Sequence, residues 1–206
     1  MRYSLAIEAP AVEPITLAEA KTHLGVHASQ TGHDALIDGL IQSARQWCEN
    51  YTRRVFVPRA LTMRMDAFPE TIYLPRPPFI ALDALEYLDA DGATQSVAAS
   101  LYQVDPYGLD APARLGLVLG AVWPIPQLGA VNAVTVTWRA GYGATVSPDA
   151  DDLASGIPAA VKAAIKLLVG HWYDPPGLVR GAEADPLPRA VSALLGPFEV
   201  RDFGLE

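Results

Sequence analysis

The spacing of apolar and polar residues along the chain predicts three kinds of segment. Ile15-Thr16-Leu17-Ala18-Glu19 reads as a helix start. Thr16 can accept from the Glu19 amide while the Glu19 carboxylate reaches back to the Thr16 amide. This helix should end near Leu24, because Gly25 readily takes the left-handed conformation that closes helices. A second helix is predicted from Asp34, its expected N-cap, through Tyr51. Leu36, Ile37, Leu40, Ile41, Ala44, Trp47, Cys48 and Tyr51 make one apolar stripe, and Asp38, Gln42, Arg45, Gln46 and Glu49 occupy the opposite face.

After Arg54 the period changes from 3.6 to 2. Leu61, Met63 and Met65 alternate with polar residues. Thr71–Leu74, Leu82–Leu88, Thr94–Val97, Leu101–Val104, Arg114–Leu119 and Val131–Arg139 are further strand candidates. Asp89-Ala90-Asp91-Gly92 marks a hairpin turn, and Gly141-Tyr142-Gly143 a turn after the last strand. Prolines lie between these strands, where a missing N–H does least harm. The helical period then returns. Pro158 opens a third helix with Val161, Ala164, Ile165, Leu168, Val169 and Trp172 as its stripe, and Asp174-Pro175-Pro176-Gly177 ends it. A fourth helix is expected over Pro188–Leu195, broken by Gly196-Pro197. Phe198–Glu206 alternates Phe198, Val200 and Phe203 with polar residues and reads as an extended tail.

The fold class is therefore α+β. A helical bundle core from the N- and C-terminal helices (1–54 and 146–196) carries a strand-rich middle insertion (55–145) and an extended C-terminal tail (197–206). One intimate α+β core is the alternative.

Composition narrows the function. The 206 residues carry 15 basic and 23 acidic side chains, a net charge of −8. That balance argues against adhesion to a phosphate backbone. A single cysteine, Cys48, excludes an intrachain disulfide and a multi-cysteine metal site, and its place on the apolar stripe makes it a small buried hydrophobe. No run of about 20 apolar residues predicts a membrane span, and Met1–Pro10 does not read as a signal peptide. Charged residues are 18% and apolar residues 50%, which leaves apolar surface for partners.

Candidate chemistry is sparse. His23, His33 and Asp34 could serve a small metal-dependent hydrolase, but a surface pair at a helix end explains His23 and His27, and capping explains Asp34. His171 suits a helix C-terminus. Arg53, Arg54 and Arg76 read as surface or interface ion-pair partners. Trp123, Tyr107 and Tyr142 could serve a carbohydrate- or peptide-binding module as surface aromatics. No catalytic, cofactor-binding or metal residue is assigned, and no cofactor is expected.

An ordered set of segments resembles the head–tail connector (adaptor) proteins of tailed bacteriophages and gene transfer agents. It comprises Ile15–Leu24, Asp34–Tyr51, Leu74-Pro75-Arg76-Pro77-Pro78, Tyr87–Gly92, Leu101–Asp105, Val136–Gly143, Ile157–Val161 and Val169–Tyr173. The resemblance implies a non-enzymatic protein of the virion neck, made in the bacterial cytoplasm. Such adaptors form a ring, usually twelvefold, between the portal protein and a stopper or tail-completion protein. DNA passes through the lumen without specific binding, and no membrane is involved. The family's C-terminal segment commonly reaches the portal, which makes Phe198, Val200 and Phe203 candidate portal-binding residues that should order only on docking. Acidic residues are expected to line the lumen.

Overall fold

The computed structural model describes residues 3–106, 108, 111–143, 154, 156–173 and 189–200. Among them are four α-helices and eight strands in two antiparallel sheets. The helices are α1 (Leu17–Leu24), α2 (Asp34–Thr52), α3 (Ala159–Tyr173) and α4 (Arg189–Leu195). The strands are β1 (Tyr3–Ile7), β2 (Arg59–Met65), β3 (Thr71–Leu74), β4 (Phe79–Leu88), β5 (Thr94–Ser96), β6 (Tyr102–Asp105), β7 (Ala113–Leu117) and β8 (Val134–Ala140).

The α1 start forms as expected. Thr16 Oγ1 accepts from the Glu19 amide at 3.1 Å, and Glu19 Oε2 accepts from the Thr16 amide at 2.8 Å. Gly25 closes the helix at φ 70°. The start of α2 differs. His33 occupies the cap position without a side-chain cap, and Asp34 is the first helical residue. Its carboxylate instead meets Lys21 Nζ at 2.6 Å, binding α2 to α1. Along α2, Ile37, Ile41, Ala44 and Cys48 are buried, whereas Leu36 is 54% exposed. Arg45 and Glu49, expected on the solvent face, are buried.

The five-stranded sheet has the order β1-β2-β8-β4-β5, and the three-stranded sheet β3-β7-β6. Period-2 alternation sends one face of each inward. Leu61, Met63 and Met65 on β2 stand opposite Trp138, Val136 and Val134 on β8, and Ile72 on β3 opposite Leu115 on β7. These residues join one apolar cluster shared by both sheets. Strand β1 was not foreseen. It pairs with β2 over Tyr3↔Met65 to Ile7↔Leu61, so the first 54 residues are not wholly helical. Its exposed-exposed-half-buried-exposed-exposed pattern hides the alternation that would identify it. The last strand begins at Val134 rather than Val131. Asn132 turns at φ 59°, with its amide bonded to Asp66 Oδ1 at 2.9 Å.

A second apolar cluster gathers Ile37, Ile41 and Cys48 of α2, Ile165 and Leu168 of α3, and Val191 and Leu195 of α4. It also takes Phe56, Val57 and Tyr142 from the strand region, so the helices do not form a self-contained bundle. Asp174–Gly177 lies outside the described residues.

The two clusters meet where β8 ends. The Gly141 amide bonds Pro78 O at 2.9 Å and the Tyr142 amide bonds Phe56 O at 2.8 Å. Gly141 has φ 141°, and a Cβ there would lie 2.5 Å from Pro58 N. Replacing Gly141 with Ala is expected to cost at least ~2 kcal/mol, because backbone rather than a mobile side chain blocks the methyl group. Urea unfolding of the variant checks this. The Cys48 thiol is pushed up to about 12 by burial, with the Glu49 charge adding to the effect. A thiol reagent at pH 8 should therefore label native protein only as fast as it unfolds, and label urea-unfolded protein at once.

Candidate assembly surfaces

The last two turns of α2 hold a buried charge network. Glu49 Oε2 accepts from Arg45 Nη1 at 3.0 Å and from Arg59 Nη2 at 2.6 Å. Glu49 Oε1 accepts from the Phe56 amide at 2.9 Å. The Glu49 carbonyl accepts from Arg76 Nη1 at 2.8 Å and from the Arg54 amide at 3.1 Å. Arg45 Nε also donates to Glu13 Oε2 at 2.7 Å. One carboxylate thus ties α2 to the 55–58 link and β2, while its backbone carbonyl holds the turn after β3. A buried carboxylate costs several kcal/mol of desolvation unless it is paired and hydrogen-bonded, and here each oxygen is satisfied. Burial opposes the Arg45 charge, but Glu13 and Glu49 outweigh it and raise its pKa. Burial dominates at Arg76 and lowers its pKa despite Glu49. Of the arginines expected as surface or interface ion-pair partners, Arg54 is 1% exposed, and Arg76, at φ 67°, lies half-buried against the end of α2.

The C-terminal segment is rooted beside this network. After α4, a 3₁₀ turn spans Gly196–Phe198. Arg54 Nε donates to the Phe198 carbonyl, and the Val200 amide donates to Thr52 O at 3.0 Å. Phe198 packs half-buried on the helical cluster, and Val200 is buried. Phe198 and Val200, expected to order only on docking, are packed on the chain's own body through Arg54 and Thr52. Phe203 lies outside the described residues.

The hydrolase candidates do not converge. Asp34 is engaged by Lys21. His33 Nδ1 is 2.6 Å from the Tyr173 hydroxyl, and His23 lies against Gly170. His27 Nδ1 contacts Ser29 Oγ at 2.8 Å. Among the described residues no three His, Cys, Asp or Glu side chains group to hold a metal ion, and no helix is long and apolar enough to cross a membrane. The aromatics expected at the surface are also engaged. Tyr142 is buried and tilted against Phe56, and Trp123 stacks on Phe68 with ring centroids 4.9 Å apart. Tyr107 lies outside the described residues.

The Glu49 network escaped sequence reading because its charges share helical spacing with a solvated face. The one signal was the i, i+4 pair Arg45/Glu49 with arginines following at 53, 54 and 59.

The chain is of an α+β type whose C-terminal segment is rooted beside the end of α2. Comparison gives the type its closer likeness. Residues 14–103 match the model of the family described as Phage gp6-like head-tail connector protein. The whole chain is similar in structure to a chain from the neck of an empty gene transfer agent particle, reconstructed with C6 symmetry. That match has a TM-score of 0.73 and 25% identity, and covers 98% of each chain. A chain from the virion of a native gene transfer agent particle matches with a TM-score of 0.73, 26% identity and 97% coverage of each. A chain from a native particle's neck with C12 symmetry shares the fold, with a TM-score of 0.67 and 23% identity over 97% of this chain and 98% of that one. No curated protein matches the sequence. The resemblance to head–tail connectors seen in the sequence is thereby borne out.

Replacing Glu49 with Ala is expected to destabilise the protein by about 3–5 kcal/mol, because Arg59 remains buried without its anion and Arg45 keeps only Glu13. Denaturant unfolding of the single variant measures the loss.

Proposed function

We propose that this protein is a head–tail connector (adaptor) of a tailed phage or gene transfer agent particle. In this reading it sits in the virion neck, forms a ring, and joins the portal protein to a stopper or tail-completion protein. The observation that carries the reading is full-length structural similarity to a gene transfer agent neck chain, at 98% coverage of both chains, together with the connector-family match over residues 14–103. Neighbours in necks reconstructed with C6 and C12 symmetry support a ring.

The helices supply the body of each ring subunit in this reading, and the sheets form an insertion upon it. The C-terminal segment, rooted at Phe198 and Val200 and continuing through Phe203, docks on the portal. The root presents the segment from a fixed point on α2, so the docking contacts fall to the residues beyond Val200. The net charge of −8 supports a lumen lined by Asp and Glu, which repels DNA phosphates and lets DNA slide.

Electron microscopy of the full chain mixed with its portal tests the proposal. A ring on the portal's narrow end is expected, and a Phe203→Asp variant is expected to lose it while keeping its unfolding midpoint. A chain that never binds the portal would sink the reading.

A further inference from the structure

Residues 115–138 contain no charged side chain in a protein of net charge −8. Within that run, the connection between β7 and β8 exposes Leu119 (105%), Val122 (76%), Ile125 (78%), Leu128 (88%) and Val131 (77%), one at every third position. Residues 121–127 form neither helix nor strand, and half-buried residues separate the exposed ones. The segment is nevertheless held. The Val118 amide bonds Leu101 O at 3.1 Å, and the Gln127 amide bonds Leu88 O at 2.8 Å. Asn132 is fixed by Asp66, and Trp123 is stacked on Phe68. Anchors face inward while branched aliphatic side chains stand in water, so a partner would meet an apolar ridge whose ordering cost is largely met in folding.

We infer that this ridge, Leu119 to Val131, is a contact surface between copies of this chain. Five aliphatic residues at these exposures present about 700 Å², above the roughly 300–600 Å² of the largest patch on a typical monomer. The value is close to the ~800 Å² that one partner contributes to a stable interface. Charge selects the occupant. Two copies at −8 each repel, and they approach most readily through a surface without charge. A cationic partner would be met by carboxylates, which this ridge lacks. In a ring of more than two copies the contact is heterologous, with the ridge of one copy seated on a different patch of the next.

The inference rests on the connector reading and deepens it by naming the surface. Its test is sedimentation of the full chain over a range of concentrations, compared with an Ile125→Asp/Leu128→Asp variant. An Ile125→Ser/Leu128→Ser pair guards against misfolding, and thermal unfolding is followed for each. The wild-type chain is expected to self-associate, with both variants at least tenfold weaker and unchanged in unfolding midpoint. A chain that stays monomeric throughout, or an association that the variants leave unchanged, overturns the inference. A ring that forms on the portal from the Asp variant as readily as from wild type would also overturn it while leaving the connector reading intact. Absence of portal binding by a self-associating wild-type chain would do the reverse.

Discussion

The carboxylate of Glu49 is the point on which the two halves of the molecule depend. It sits where α2 gives way to the first central strand and is satisfied by Arg45, Arg59 and the Phe56 amide. An apolar joint could bring the same elements together through area alone, since hydrophobic contact is non-directional. Hydrogen bonds to a buried charge impose direction as well. The network therefore supplies an angle: it sets how β2 leaves α2, and β8, β4 and β5 follow from β2 in the five-stranded sheet. Arg76 adds the turn after β3 by donating to the Glu49 carbonyl.

Around that joint the division of labour is plain. One apolar cluster lies among the helices and the other between the sheets. Phe56, Val57 and Tyr142 cross from strand sequence into helix packing. Their crossing is possible because Gly141 lets β8 pass against Pro58 with no Cβ in the way. The polar side chains that looked chemically promising are spent on the same task of alignment: Asp34 binds α2 to α1 through Lys21, and His33 meets Tyr173 at the end of α3.

Most of the fold was legible in the sequence where periodicity was clean. The capping box at Thr16, the α2 stripe, the Asp89–Gly92 turn and the alternation in β2 and β8 each followed from a local physical rule. The failures share a different cause. Tyr3–Ile7 is a strand only because β2 pairs with it, and of its own residues Leu5 alone is half-buried. Arg45 and Glu49 match a solvated helix face in every local respect, and their burial is made tolerable by partners outside the helix: Arg59, the Phe56 amide and Glu13. Leu36 shows the reverse case, an apolar residue on the stripe's margin that no neighbour covers. The tail's alternation of Phe198 and Val200 was visible, but its attachment to Thr52 and Arg54 depends on contacts about 145 residues apart in sequence, which no window of local pattern contains.

The bond from the Val200 amide to Thr52 O has a mechanical consequence. Force applied to the chain beyond Val200 does not first unwind α4. It enters the body at the C-terminal end of α2, beside a guanidinium that grips the preceding carbonyl and a short step from the Glu49 joint. Tension on that segment is thus delivered beside the buried charge network, as a load on a fixed cleat rather than on a slack rope.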